Sequence, residues 1–268
     1  MKRILVPTDF TELSAIGVRF AQKLADMENG EVHLLNVVNS PVQFDEGGFE
    51  LTELALKEAY DMMMNFVLQF DKRPIHSFVT LGRLRKDVKE YIKKNNIDFV
   101  VMASHGAEGI NETLFGSHAE QIVRHSPVPT LVIKKEIAEL ESIKNIALAG
   151  DFEHEFDVNV KAVLELKKLL HAQVHFVEIC HPEKNEKRGK ILNMMDAFAA
   201  IHGFESPKFH VIEDYNITDG LTNFVHEEKI DLLAMGTHQR TGLKRWLHAS
   251  IAEEVVNHLE EPILTFHM

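Results

Sequence analysis

The feature that most constrains this chain is an internal duplication whose period is too long for a solenoid. Asn96-Ile97-Asp98-Phe99-Val100-Val101-Met102-Ala103-Ser104-His105-Gly106 returns as Lys229-Ile230-Asp231-Leu232-Leu233-Ala234-Met235-Gly236-Thr237-His238-Gln239. Both copies then reach a small residue followed by serine, Gly116-Ser117 and Ala249-Ser250. Earlier in the chain Ile4-Leu5-Val6-Pro7-Thr8-Asp9-Phe10 matches Ile146-Ala147-Leu148-Ala149-Gly150-Asp151-Phe152, an offset of 142 (146 minus 4). Asp98 to Asp231 and Pro129 to Pro262 are each offset by 133, so copy one is nine residues longer (142 minus 133), mainly between its second and third strands. Solenoid repeats run to about 20–50 residues, so this spacing means two duplicated domains.

Within each copy, short apolar runs alternate with longer helical patterns. The predicted strands of copy one are Arg3–Val6, Val32–Val38, Ile75–Thr80, Phe99–Ala103 and Thr130–Ile133. Those of copy two lie near Lys144–Ala149, Val174–Cys180, Lys208–Glu213, Leu232–Gly236 and Ile263–Phe266. The runs are continuous, as expected of parallel strands covered on both faces. Ile16, Phe20 and Leu24 stand at helical spacing, Asn29-Gly30 offers a stop, and Pro127 ends a later helix. The fold class is α/β, two tandem open doubly wound parallel sheets with flanking helices and right-handed crossovers. The charged stretch Lys134–Lys144 marks the boundary, giving domains 1–138 and 139–268. The last strands are the expected contact edges of an intrachain pseudo-dimer, since unpaired strand edges need cover. Further association of two chains, as a homodimer, stays open.

Composition removes several function classes. A formal charge of -12 repels a phosphodiester backbone, so nucleic acid is not an expected partner. No apolar stretch approaches the roughly 20 residues that cross a bilayer, and no signal-peptide pattern opens the chain, so no membrane partner is expected either. A lone cysteine, Cys180, set in an apolar strand, fits a reducing cytoplasm and an inert thiol. The sixteen histidines give no H-E-x-x-H and no Cys/His cluster, so no dedicated metal site is expected. Leu54–Phe70, with Met62, Met63, Met64, Phe66 and Phe70, reads by default as a core-facing helix, with a partner-binding face as the other reading.

In an open parallel sheet, ligands bind outside the carboxyl ends of strands, where the order reverses. Asp9 follows the first strand and Ser104-His105-Gly106 the fourth, so neighbouring strands would bring both loops to one crevice. Gly106 and Gly116-Ser117 bracket a loop leading into a helix that carries Ala119, Ile122 and Val123. Glycines let N–H groups approach an anion, Ser117 adds a hydroxyl, and the helix N-terminus adds its dipole. Asp9 suits ribose hydroxyls, although Asp is also a common helix cap. Val37 suits the face of a base. There is no Walker loop, and no G-x-G-x-x-G follows the first strand.

Pro7-Thr8-Asp9, Met102-Ala103-Ser104-His105-Gly106 and Gly116-Ser117-His118-Ala119-Glu120 resemble the universal stress protein family. Its nucleotide-binding members carry Gly, two residues, Gly, nine residues, Gly, then Ser or Thr. Here Ala103 stands first, Gly106 second, nine residues follow, and Gly116-Ser117 complete the pattern. The resemblance covers nearly the whole chain. It implies strand order 3-2-1-4-5 in each five-stranded sheet and ATP, with Mg, across strands one and four. It places adenine and ribose near Pro7, Thr8, Asp9, Val37 and Met102, and phosphates near Ala103, His105, Gly106, Gly116, Ser117 and His118. Copy two keeps Gly236 but has Gln239 and Ala249 at the other glycine positions and Ala149-Gly150 before Asp151, so its site reads as degenerate.

The expected role is a nucleotide-dependent regulatory or stress-response protein acting on protein partners that the residues do not name. No side chain stands out as a base or nucleophile, so at most slow ATP hydrolysis is expected. The alternative is a nucleotide-independent dimeric scaffold of the same fold. An adenylyl-transferring enzyme lacks support, because the chain has neither a His-x-x-His pair nor a Lys-Met-Ser-Lys-Ser loop.

Overall fold

The computed structural model describes residues 1–39, 46–70, 74–104, 117–137, 139–152, 160–182, 188–237, 255 and 259–267. The chain forms two compact units that divide between Glu136 and Ile137.

The first unit runs β1 (Arg3–Pro7), α1 (Glu12–Glu28), β2 (Glu31–Val38), α2 (Glu46–Val67), β3 (Ile75–Leu81), α3 (Leu84–Lys94), β4 (Phe99–Ala103), α4 (Ser117–His125) and β5 (Thr130–Ile133). Its strands lie in the order β3-β2-β1-β4-β5, with parallel pairing throughout. The second unit runs β6 (Asn145–Ala149), α5 (Lys161–Leu170), β7 (Gln173–Cys180), α6 (Arg188–His202), β8 (Lys208–Glu213), α7 (Ile217–Glu227), β9 (Leu232–Thr237) and β10 (Ile263–His267). Its order is β8-β7-β6-β9-β10, again parallel, so both units are doubly wound five-stranded sheets of order 3-2-1-4-5.

Each central strand is a run of fully buried apolar residues, such as Ile4, Leu5 and Val6 in β1 and Ile146, Ala147 and Leu148 in β6. Right-handed crossovers put α1 and α2 on one face of the first sheet and α3 and α4 on the other. The capping of α1 follows from its sequence. Thr11 is the N-cap, its hydroxyl accepting from the Ser14 amide, and Asn29 closes the helix in the left-handed region at φ 51°. His171 closes α5 in the same way at φ 50°. Asn96 (φ 50°) and Lys229 (φ 52°) likewise follow α3 and α7, so the duplication extends to its strained backbone positions.

The methionine-rich helix divides its side chains. Ala59, Met63 and Phe66 are buried in α2, while Leu51, Met62 and Met64 are more than half exposed. Consecutive residues on a helix point about 100° apart, so three methionines in a row cannot all face a core. A core-facing helix therefore describes one stripe of α2 only. No helix among the described residues is long and apolar enough to cross a membrane.

Candidate functional site

The sheet reverses its winding between β1 and β4, which are paired neighbours with Ile4 opposite Phe99 and Leu5 opposite Val100. Extending that register (99 minus 4 is 95) sets Pro7 beside Met102 and Thr8 beside Ala103. The two segments singled out in the sequence therefore share one crevice at the carboxyl ends of β1 and β4. Val37 is half-buried near the end of β2, two residues beyond Leu35, which pairs with Pro7.

The loop after β1 is held by side chains rather than by sheet bonds alone. The Thr8 amide donates to the Leu35 carbonyl (2.9 Å), and Asn36 Nδ2 donates to the Thr8 carbonyl (2.8 Å). The Thr8 hydroxyl meets Ser14 Oγ at 2.9 Å and accepts from the Phe10 amide at 3.0 Å. Phe10 takes φ 66°, a turn that these bonds stabilise. Asp9 Oδ1 accepts from both the Thr11 hydroxyl (2.6 Å) and the Thr11 amide (3.1 Å). Partial burial pushes the Asp9 carboxyl up, but the bonds from Thr11 and Ser14 outweigh it and hold the group below the usual carboxylate range. Asp9 is thus an oriented, ionised acceptor. It is not the helix cap, which is Thr11.

On the phosphate side, Ala103 is half-buried at the end of β4, and the Ser104 amide donates to the Ile133 carbonyl at 2.9 Å. His105, Gly106 and Gly116 lie outside the described residues. Ser117 and His118 open α4, and Ala119, Ile122 and Val123 of that helix are buried.

The corresponding corner of the second unit has a different chemistry. Phe152 is buried, stacked on Phe176 (centroids 5.0 Å) and edge-on to Phe198 (5.2 Å). Its amide donates to Glu178 Oε2 at 3.2 Å. Glu178 occupies the position of Asn36 at the same offset of 142, and both it and Asp151 are buried. Gln239, Ala249 and Ser250 lie outside the described residues.

Several residues escape sequence reasoning. Asp98 is architectural: its carboxylate accepts from the Lys2 amide (2.9 Å) and the Arg3 amide (3.3 Å), fixing the start of β1. Asp231 does the same for β6, taking the Lys144 and Asn145 amides at 2.8 Å each. Its repetition with Asp98 is the signal that something is pinned, but only the fold says what. Among the described residues two clusters of imidazole and carboxylate also form, Glu31–His33–His76 and His175–His210–Glu228. Motif spacing misses them because their members sit on different strands and helices. Cys180 is buried, and burial with the nearby Glu213 and Glu178 raises its thiol pKa, the state of an inert thiol.

Comparison with known proteins agrees with this fold. The sequence profile of the universal stress protein family matches residues 1–134 and again 143–267. Universal stress protein MJ0531 of Methanocaldococcus jannaschii is 30% identical over 140 residues, covering 50% of this chain and 82% of that protein. Universal stress protein G of Escherichia coli O157:H7 is 31% identical over 142 residues, covering 50% of this chain and 99% of its own length. The crystal structure of a universal stress protein from Archaeoglobus fulgidus superimposes with a TM-score of 0.69 at 19% identity, covering 99% of this chain and 98% of that one. That last likeness concerns the fold. With the family profile matched twice along its length, this chain belongs to the universal stress protein family as a tandem, two-domain member.

Proposed function

We propose that the N-terminal domain binds ATP, with Mg, across the carboxyl ends of β1 and β4, and that occupancy biases a conformation read by protein partners in a stress response. The observation that supports this reading is the adjacency of β1 and β4, with Ile4 opposite Phe99 and Leu5 opposite Val100. Asp9, oriented by Thr11, is suited to accept from ribose hydroxyls, and Val37 to cover the base. Ala103, His105, Gly106, Gly116, Ser117 and His118 are the phosphate-side residues of the reading. It draws on the N-terminal dipole of α4, to which an anion is attracted. The lone, buried Cys180 supports a cytoplasmic setting.

The C-terminal domain is read as non-binding. Buried Glu178 stands where the first domain has Asn36, and its carboxylate accepts from the Phe152 amide, so this corner is occupied by a contact within the domain. Gln239 and Ala249 replace glycines at positions where close anion approach needs bare backbone.

Calorimetric titration of the whole chain with Mg-ATP, wild type against Gly106→Gln, tests the proposal. The expected result is one saturable site per chain, lost in the variant, which writes the second copy's residue into the first. Absence of heat in both proteins, with no nucleotide released on denaturation, rejects the nucleotide switch in favour of a scaffold.

A further inference from the structure

At the opposite end of the first sheet, where β2 and β3 begin, three potential ligands converge. Glu31 and His33 are two apart on β2, so their side chains share one face. His76 is the register partner of His33 on β3 and joins the same face. The two imidazoles stack with centroids 4.8 Å apart. Glu31 Oε2 lies 2.9 Å from His76 Nε2 and 3.9 Å from His33 Nε2. Four ligands at about 2.0–2.1 Å from a tetrahedral metal stand roughly 3.3 Å apart, a spacing these two distances bracket.

The second, independent observation is His33 Nε2 itself. His33 is only 7% exposed, and this nitrogen has no hydrogen-bond partner. A buried orphan of this kind is destabilising unless something fills it. Its other nitrogen is engaged, Nδ1 standing 3.1 Å from the Tyr91 hydroxyl of α3. With Nδ1–H donating to Tyr91 Oη, the Nε2 lone pair points toward Glu31, the arrangement that metal-ligating histidines show in their outer sphere. Arg3 Nε takes the other carboxylate oxygen, Oε1, at 3.1 Å and leaves Oε2 on the histidine side.

The second domain supplies the contrast. His175 and His210 stack in the same region, but His175 Nδ1 pairs with His210 Nε2 at 3.1 Å and His175 Nε2 meets Asn145 Oδ1 at 3.3 Å. Gln173 stands in place of Glu31, its amide donating to the Val174 and Ser206 carbonyls. That pair is satisfied internally. That cluster has a carboxylate too, Glu228 Oε1 at 4.0 Å from His210 Nδ1, but in the first domain the two rings are register partners and a buried nitrogen is left over.

We propose that Glu31, His33 and His76 form a binding site for a divalent transition-metal ion of the zinc class, distinct from the nucleotide crevice. Two imidazoles and one carboxylate are borderline ligands, suited to Zn²⁺, Cu²⁺, Ni²⁺ or Co²⁺. The Arg3 guanidinium opposes hard cations held by charge alone, such as Mg²⁺ and Ca²⁺. Half-exposed His76 and Glu31 provide the entry path and leave a coordination position for water. A bound ion ties the edge strand β3 to β2.

The test uses the full chain, stripped with a chelator and titrated with Zn²⁺ by calorimetry and with Co²⁺ by visible absorption. One site per chain is expected, with the absorption of a four-coordinate nitrogen and oxygen site for Co²⁺. His76→Ala removes an exposed ligand, leaves the fold in place, and abolishes both signals. Tyr91→Phe weakens affinity about tenfold through the orientation of His33. His226→Ala, at an exposed histidine outside the cluster, changes nothing. Absence of a site in the wild type overturns the proposal. So does a site that survives His76→Ala or is lost in His210→Ala instead.

Discussion

Replacing Asp231 by alanine isolates what the repeated Ile-Asp motif does. Its carboxylate takes two backbone amides at 2.8 Å, those of Lys144 and Asn145, and the second is partly buried. A hydrogen bond to a charged group is worth about 1.5–3 kcal/mol, with the exposed one discounted toward ~0.5–1. Asp231→Ala is therefore expected to cost about 2–3 kcal/mol. The equivalent Asp98 bonds are both exposed and one is stretched to 3.3 Å, so Asp98→Ala is expected to cost about 1 kcal/mol. Urea unfolding followed by circular dichroism supplies the energies. Because two domains need not unfold together, exchange of the β1 and β6 amides by mass spectrometry assigns each loss to its own strand. The Asp231 variant should lose protection in β6 and the Asp98 variant in β1. Equal costs in the two variants, or a loss below ~0.5 kcal/mol for Asp231→Ala, would refute the pinning role.

The second domain should show an acid limb in its stability. Burial, then Lys208 and His210, lower the His175 pKa from 6.5 to about 4, with Glu228 opposing. The folded value is depressed, so this contribution is complete above pH 6.5 and is lost as pH falls from 6.5 to 4. It amounts to at most about 3 kcal/mol, and His175→Gln should flatten that part of the profile measured by urea midpoints. In α2, Met63→Ala should cost about 2–4 kcal/mol because the side chain is 2% exposed, whereas Met62→Ala, at 51%, should stay within ~0.5 kcal/mol by thermal melts. Phe152→Ala removes a buried ring that touches Phe176 and Phe198 and should cost about 3–5 kcal/mol; a smaller loss would mean that this corner is not part of the core.

The central strands were legible because each is a short apolar run closed by a turn signal, a property of a few adjacent residues, while the edge strands β3 and β8 mix polar and apolar residues. Small errors at the ends have physical causes. Lys144 reads as part of a strand, yet β6 starts at Asn145, and the Lys144 amide goes to Asp231. Asn29 was legible as a helix stop because a left-handed residue next to glycine is local chemistry. The methionine-rich helix was legible in type but not in orientation, since three adjacent methionines offer no single periodic answer. At the crevice, Asp9 was legible as a polar residue after a strand. Its separation from the capping role came only from seeing Thr11 take that role.

Period and duplication belong to the sequence alone, because they depend on which residue types stand three, four or some 140 positions apart. From these follow two tandem α/β units and the asymmetry between their glycines. Tertiary structure decided which strands touch and in what register. Pairing β1 with β4 brings Leu5 beside Val100, and pairing β2 with β3 brings His33 beside His76. Those contacts join residues 95 and 43 positions apart (100 minus 5 and 76 minus 33), and no local preference encodes them. They arise when crossover handedness and non-local burial select one strand order, and the side chains that share a face then meet.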